Sequence, residues 1–253
     1  SPDHLERHKN MENYIRAKAK IFFAQKKSDH TYINSSNKYS DKIKKIFKEK
    51  NLNSKLTLIN KSDSNFILKK INNKFLQSKG NIENLSFAFK IAKNLKVENK
   101  VIIKAMKEFK GLPHRQEIVL SRKNILCIND SKATSFDACL QSLTNFNNIY
   151  WIVGGLPKYQ DNFYLQKVKN KIIKAYIVGK NISFFKKQIK NKIPYKVSNN
   201  IKNAVNDIFK DLKFNDCSNN IVLLSPAAAS FDQFDNFENR GLYFKNIIKE
   251  KFK

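Results

Sequence analysis

From Gly111 onward the chain alternates short, almost wholly apolar runs with longer stretches of helical pattern, and few architectures accept that rhythm. "QEIVLS" and "NILCIND" come first as a hairpin-like pair; "IYWIVGG", "KAYIVG", "YKVS" and "NIVLLSPA" follow, separated by helical segments. A strand that is apolar on both sides needs cover on both faces, and strands joined through helices run parallel. The second half is therefore expected to be an α/β domain of Rossmann-like type with a mostly parallel sheet, starting near Gly111-Leu112-Pro113.

The first half is mixed. Met11, Tyr14, Ile15, Lys18, Ile21 and Phe22 recur at helical spacing and predict one amphipathic helix over about 10–25. Residues 28–54 read as polar and irregular, with a weak helix near 41–48. "KLTLIN" and "NFILKK" read as β-like runs around a Lys61–Ser64 turn, and helices are expected over 82–95 and 98–109.

Among 253 residues, 41% are hydrophobic, enough for real cores, and no apolar run reaches the roughly 18 residues that a membrane helix needs. A cytoplasmic protein with no membrane insertion is expected. Cys127, Cys139 and Cys217 are too few and too scattered for a disulfide framework or a zinc site, and read as buried small apolar residues. The formal charge of +28 raises the class of nucleic-acid binders. Only five of the 49 basic residues are arginine, however, and the lysines are spread along the chain. A solvated lysine-rich surface is the simpler reading, and no nucleic-acid partner is expected.

In open α/β sheets, ligands bind beyond the carboxyl ends of strands. Three strand ends here carry unusual groups: Asn129-Asp130-Ser131-Lys132-Ala133-Thr134; Gly154-Gly155 followed by Lys158; and Pro226-Ala227-Ala228-Ala229-Ser230-Phe231-Asp232. Taken one at a time, each has an ordinary explanation. Asp130 or Thr134 could cap the next helix, Lys158 could be one more solvated lysine, and the glycines could be only a turn. If the three strands are neighbours, two lysines and several hydroxyls share one crevice suited to a small dicarboxylate or a phosphate.

"SPDHLERHKNMENYIRAKAKIF", "GLPHRQEIV", "INDSKATSFDA", "VGGLPKYQDNF" and "VLLSPAAASFDQFDNFENRGLYF" occur in the order and with the spacing of the Mur ligases. The chain resembles that family from Ser1 to about Phe244. "NDSKAT" and "SPAAASFDQFDNFENRG" resemble its D-glutamate-adding branch, and the Asp-Asn-Pro-Arg motif of the diaminopimelate- or lysine-adding branch is absent. The resemblance implies an ATP-dependent amide ligase of peptidoglycan precursor synthesis, taking UDP-MurNAc-L-alanine and D-glutamate through an acyl phosphate. Another Mur ligase or a folylpolyglutamate synthase-type ligase is the nearest competitor, and a basic nucleic-acid-binding protein is the alternative of another class.

It also implies residue roles. His4, Lys18 and Arg115 would be the catalytic set, with His4 and a carbamylated Lys18 as ligands of two Mg²⁺ ions. Asn84 would lie near adenine, Arg115 at the γ-phosphate and Asp130 at the ribose of ATP. Lys132, Thr134, Lys158, Ser230 and the backbone around Phe237 would hold the carboxylates of D-glutamate. The chain departs from the pattern at Gly80, where the family usually has histidine, and at Leu156-Pro157. No G-x-x-x-x-G-K-[ST] phosphate loop occurs among its six glycines. The expected organisation is therefore the later part of a central P-loop-type ATPase domain over 1–112 and a C-terminal domain over 113–253. Such a chain is expected to be a monomer that does not ligate by itself and needs an N-terminal portion, in cis or in trans.

Overall fold

The computed structural model describes residues 8–73, 76, 79–122, 124–159, 161–212 and 219–252. It divides into two compact units, Ser1–Lys110 and Gly111–Lys253.

The first unit begins with α1 (Met11–Ala19), capped by Asn10, whose side chain accepts from the Asn13 amide at 2.9 Å. β1 (His30–Asn34), α2 (Ser40–Glu49) and β2 (Lys55–Ile59) form a βαβ unit, and the two strands pair in parallel. α3 (Asn65–Leu68), α4 (Lys79–Asn94) and α5 (Asn99–Glu108) complete it around Ile67, Ile71, Leu76, Leu85 and Ile102.

Three expectations for this unit are corrected. The helix expected over 10–25 stops at Ala19 and tightens into a 3₁₀ turn, Lys20–Ala24. Only Ile15 and Ala19 of α1 are buried, a narrow i, i+4 stripe, while Ile21 is 69% exposed and Lys18 is exposed beside it. Lys18 therefore does not lie on a buried apolar face. "NFILKK" is helical rather than extended: a capping box between Asn60 and Asp63 starts a helical path, and Ile67 turns inward while Phe66 is exposed. "HTYIN", hidden within the polar stretch, is β1, with Thr31 and Ile33 alternating inward.

The second unit is built on a six-stranded sheet. β3 (Glu117–Arg122) and β4 (Ile125–Asn129) form the antiparallel hairpin; α6 (Phe136–Asn145), β5 (Ile149–Gly154), β6 (Ile172–Val178), α7 (Ile182–Ile189), β7 (Tyr195–Asn199), α8 (Ile201–Leu212), β8 (Asn220–Leu224) and α9 (Phe237–Lys251) follow. The strand order is β3-β4-β8-β5-β6-β7, and every pairing after the hairpin is parallel. The pleat sends alternate residues to opposite faces. In β5, Trp151 and Val153 join a core with Phe136, Phe163 and Phe185, whereas Tyr150 and Ile152 join one with Ala204, Ile208 and Phe244. α6 and α7 cover the first face; α8 and α9 cover the second.

Cys127 and Cys139 are buried free thiols, and Cys217 lies outside the described residues. No helix among the described residues is long and apolar enough to cross a membrane.

Candidate functional site

The sheet order decides the convergence question. β4, β8 and β5 are consecutive neighbours running in parallel, so Asn129, Leu224 and Gly154 end side by side. The three loops that follow them bear Lys132 and Thr134, Ser230, and Lys158 respectively.

The β5 end is shaped by glycine. Gly154 has φ +141°, and a Cβ there would stand 1.9 Å from the Val178 carbonyl oxygen; on Gly155, at φ +134°, it would stand 2.3 Å from that of Ala229. Without side chains, this backbone lies directly against its neighbours, and Leu156 and Ala229 exchange both N–H···O bonds at 2.9 Å. The loop after β8 turns through Ala227, whose φ is +54°.

Asp130 does not cap the following helix. The cap is Ser135, which accepts from the Ala138 amide at 3.4 Å, and Thr134 is not its side-chain cap either. Asp130 instead points inward: Oδ2 accepts from the hydroxyls of Ser142 at 2.6 Å and Ser225 at 2.9 Å, and Oδ1 from the Gln116 amide at 3.2 Å. Burial pushes its pKa up to about 6, opposed by those three hydrogen bonds and by the charge of Arg115. Arg115 itself is exposed in the turn that its amide closes onto the Leu112 carbonyl at 3.2 Å.

Lys132 is half-buried, with its ammonium 3.5 Å from the Phe237 ring centroid and its amide donating to the His114 carbonyl at 3.0 Å. Thr134 is half-buried in the same loop, Lys158 is half-buried in the loop after β5, and Ser230 is buried at 2% exposure.

Several residues that join these loops were not singled out from the sequence. Arg240, 3% exposed, donates from Nε to Ser131 Oγ at 2.9 Å, and from Nη2 to the carbonyls of Ser131 at 2.8 Å and Ala228 at 2.9 Å. Its Nη1 is buried without a hydrogen-bond partner. Burial lowers its pKa to about 10, against the charge of Asp232. Ser131 Oγ in turn donates to the Phe237 carbonyl at 2.8 Å. The sequence does hold a signal for Arg240: it falls with Phe237, Gly241, Phe244, Ile247 and Ile248 on one helical stripe, so it must face the core.

Behind Lys132, buried His114 packs against Gly241 and lies 2.9 Å from Asn129 Nδ2 through Nδ1, while Glu117 accepts from the His114 amide and from Asn129 Nδ2 and pairs with Lys245. Burial would raise the Glu117 carboxyl, but the Lys245 ammonium and the His114 amide hold it below the usual range; burial lowers the His114 imidazole despite Glu117 beside it.

The remaining candidates belong to the first part of the chain, before Gly111. Asn84 is exposed on α4 in the first unit. His4 lies outside the described residues. Lys18 is exposed, 5.5 Å from the Tyr14 ring centroid, and no group of three or more His, Cys, Asp or Glu that could hold a metal is present among the described residues. The expected Mg²⁺ ligands are His4, which lies outside the described residues, and a carbamylated Lys18, whose carbamate oxygens rather than its amine would meet the ion.

Comparison with known proteins settles the family. Residues 1–107 match the Mur ligase middle domain. A UDP-N-acetylmuramoylalanine--D-glutamate ligase of Rickettsia felis is 35% identical over 263 residues, spanning 98% of this chain and 59% of its own length. The chain belongs to the Mur ligase family. A relative of the same description from Agrobacterium fabrum is 31% identical over 95% of this chain and 55% of its own length. The chain thus spans a little under three-fifths of the relatives it matches. Among solved structures, MurF from Acinetobacter baumannii superposes with a TM-score of 0.63 at 12% identity, covering 97% of this chain and 58% of that one. The bifunctional folylpolyglutamate synthase/dihydrofolate synthase of Yersinia pestis gives 0.61 at 11%, covering 100% and 59%. At such identities the likeness is one of fold, and it bears out the α/β Mur ligase-like architecture.

Proposed function

We propose that this chain carries the amino-acid-binding surface, and part of the nucleotide-binding surface, of an ATP-dependent ligase that joins D-glutamate to UDP-N-acetylmuramoyl-L-alanine. The observation that carries the reading is the placement of the Lys132–Thr134 and Lys158 loops at the ends of strands separated only by β8. Two lysines on loops that follow strand ends flanking β8 match the two carboxylates of a glutamate, and the relatives are named for that amino acid.

In the proposed reaction the γ-phosphoryl group of ATP passes to the terminal carboxylate of the acceptor, releasing ADP. The D-glutamate nitrogen attacks the acyl carbon, the C–N bond forms, and phosphate leaves with the electron pair of the broken C–O bond while the amine loses its proton. Lys132, Thr134, Lys158 and Ser230 would fix the amino acid so that its nitrogen meets that carbon, the positioning on which such a step chiefly depends. Arg115 would serve the nucleotide from an exposed turn open to a phosphate, and Asp130, turned inward, would support that turn through the Gln116 amide. A requirement for ATP and a UDP-linked acceptor makes the cytoplasm its place of action.

The test is ATP-dependent transfer of labelled D-glutamate to UDP-N-acetylmuramoyl-L-alanine by the ligase that contains these residues. Lys132→Met and Lys158→Met are each expected to raise KM for D-glutamate about 100-fold while leaving KM for ATP nearly unchanged, a loss typical of a charge-assisted contact to substrate. Incorporation of a different amino acid, as in a folylpolyglutamate synthase-type ligase, would overturn the assignment.

A further inference from the structure

Asp161 belongs to none of the groups assigned above, yet it makes a side-chain hydrogen bond between the two lysine-bearing loops. Its Oδ2 accepts from the Phe136 amide at 2.9 Å. Phe136 opens α6, directly after the segment with Lys132 and Thr134, and belongs to the first turn, whose amides lack intrahelical acceptors. The local cap, Ser135, serves the Ala138 amide and leaves that of Phe136 to Asp161, which arrives from the loop after β5.

The same residue holds Lys158 from its own side. The Asp161 amide donates to the Lys158 carbonyl at 3.2 Å, closing a turn around the lysine. Gln188 on α7 donates from Nε2 to the Asp161 carbonyl at 3.5 Å and accepts from the Phe163 amide at 3.1 Å, which fastens the loop to the body of the unit. Beneath the Asp161–Phe136 bond, the rings of Phe136 and Phe163 stack at 4.5 Å and 16°. The apolar stack supplies cohesion, while the carboxylate supplies a directional link that sets how far the Lys158 turn stands from the Lys132 loop. Half-buried, with Asp137 nearby, the carboxylate sits where burial raises its pKa, against the Phe136 amide and Lys158.

We propose that Asp161 is a positioning residue for amino-acid recognition: by bonding the Phe136 amide it fixes the spacing of Lys132 and Lys158, and with it the length of dicarboxylate that the crevice accepts. The proposal rests on the reading of those lysines as carboxylate ligands given above.

Steady-state kinetics of Asp161→Ala and Asp161→Asn in the ligase containing this chain test it. Asp161→Ala is expected to raise KM for D-glutamate about tenfold, keep KM for ATP within about twofold, and narrow the preference for glutamate over aspartate. Asp161→Asn retains an acceptor oxygen for the Phe136 amide and is expected to recover most of the loss. An unchanged KM for D-glutamate in Asp161→Ala, or an equal rise for both substrates, overturns the proposal. Hydrogen exchange of the Phe136 amide in the 253-residue chain gives an independent measure: faster exchange in Asp161→Ala but not in Asp161→Asn is expected, and equal exchange in both overturns the link. Were another amino acid the true substrate, the substrate reading above would fail alone, and the same KM split would be measured with that amino acid.

Discussion

Asp130 shows how a residue recognisable in sequence can do something its motif does not disclose. The pattern "INDSKAT" marks it as important, and two plausible roles, helix cap and nucleotide ligand, both face outward. In the folded unit its carboxylate is turned in, bonded by Ser142, Ser225 and the Gln116 amide. Ser142 and Ser225 come from a helix and a strand end far apart in sequence, so no local pattern could announce them. The burial has a sign. Because the folded-state pKa is raised from 3.8 to about 6, the group's contribution to stability is fully present below pH 4 and is lost as pH rises through about 6. Relative to Asp130→Asn, which cannot ionise, the wild-type chain is therefore expected to lose roughly 3 kcal/mol between pH 4 and pH 8, since each pH unit separating the folded and unfolded titrations is worth about 1.4 kcal/mol. Urea denaturation of both proteins across that range measures it; a constant difference would mean that the carboxylate is not desolvated. The placement of Lys132 and Lys158 beyond strand ends was legible because lysine at such a place stands out from a solvated surface. Arg240 was overlooked because a cation inside "FENRG" looks like surface until its helical stripe is traced.

At the scale of elements, the second unit followed its sequence closely and the first did not. Strands β4, β5, β6 and β8 are nearly continuous apolar runs buried on both faces, and such runs leave little choice of structure. β1 carries His30, Thr31, Tyr32 and Asn34, and its inward alternation rests on Thr31 and Ile33, too weak a contrast to stand out from polar surroundings. "NFILKK" has β-rich composition, but the capping box upstream decides in favour of a helix. Gly154 presents the opposite case, a single residue whose geometry an element cannot do without. Its φ of +141° and the 1.9 Å approach of a would-be Cβ to the Val178 carbonyl mean that Gly154→Ala must push β5 away from β6. A destabilisation above about 3 kcal/mol is expected, read as a lowered urea midpoint for a two-state transition. A midpoint within the error of wild type would show that the strand ends have slack.

For the whole chain, charge is the first consideration. A formal +28 over 253 residues opposes compaction by self-repulsion, and the ion pairs present are mostly between partly exposed groups, such as Lys44 with Asp41 and Lys45 with Glu49, which add little. Raising ionic strength from about 0.05 to 0.5 M shortens the screening length several-fold and is expected to raise the melting temperature by a few degrees, where a chain of balanced charge would show little change. Differential scanning calorimetry with sodium chloride as the variable decides it; a falling melting temperature would point to attractive pairs instead. The sequence changes rhythm at Gly111, where the second compact unit begins, but it does not state the order of strands, since nothing local says that β8 belongs between β4 and β5. That order has a consequence for biosynthesis. Strands β4 and β5 leave the ribosome long before the strand that will separate them, so the sheet spends most of its synthesis with its central slot vacant and both apolar flanks exposed. The loops after β4, β8 and β5 cannot come together until the chain has emerged past Ser230, and a nascent chain that stalls short of Asn220 lacks the keystone of its sheet rather than an edge.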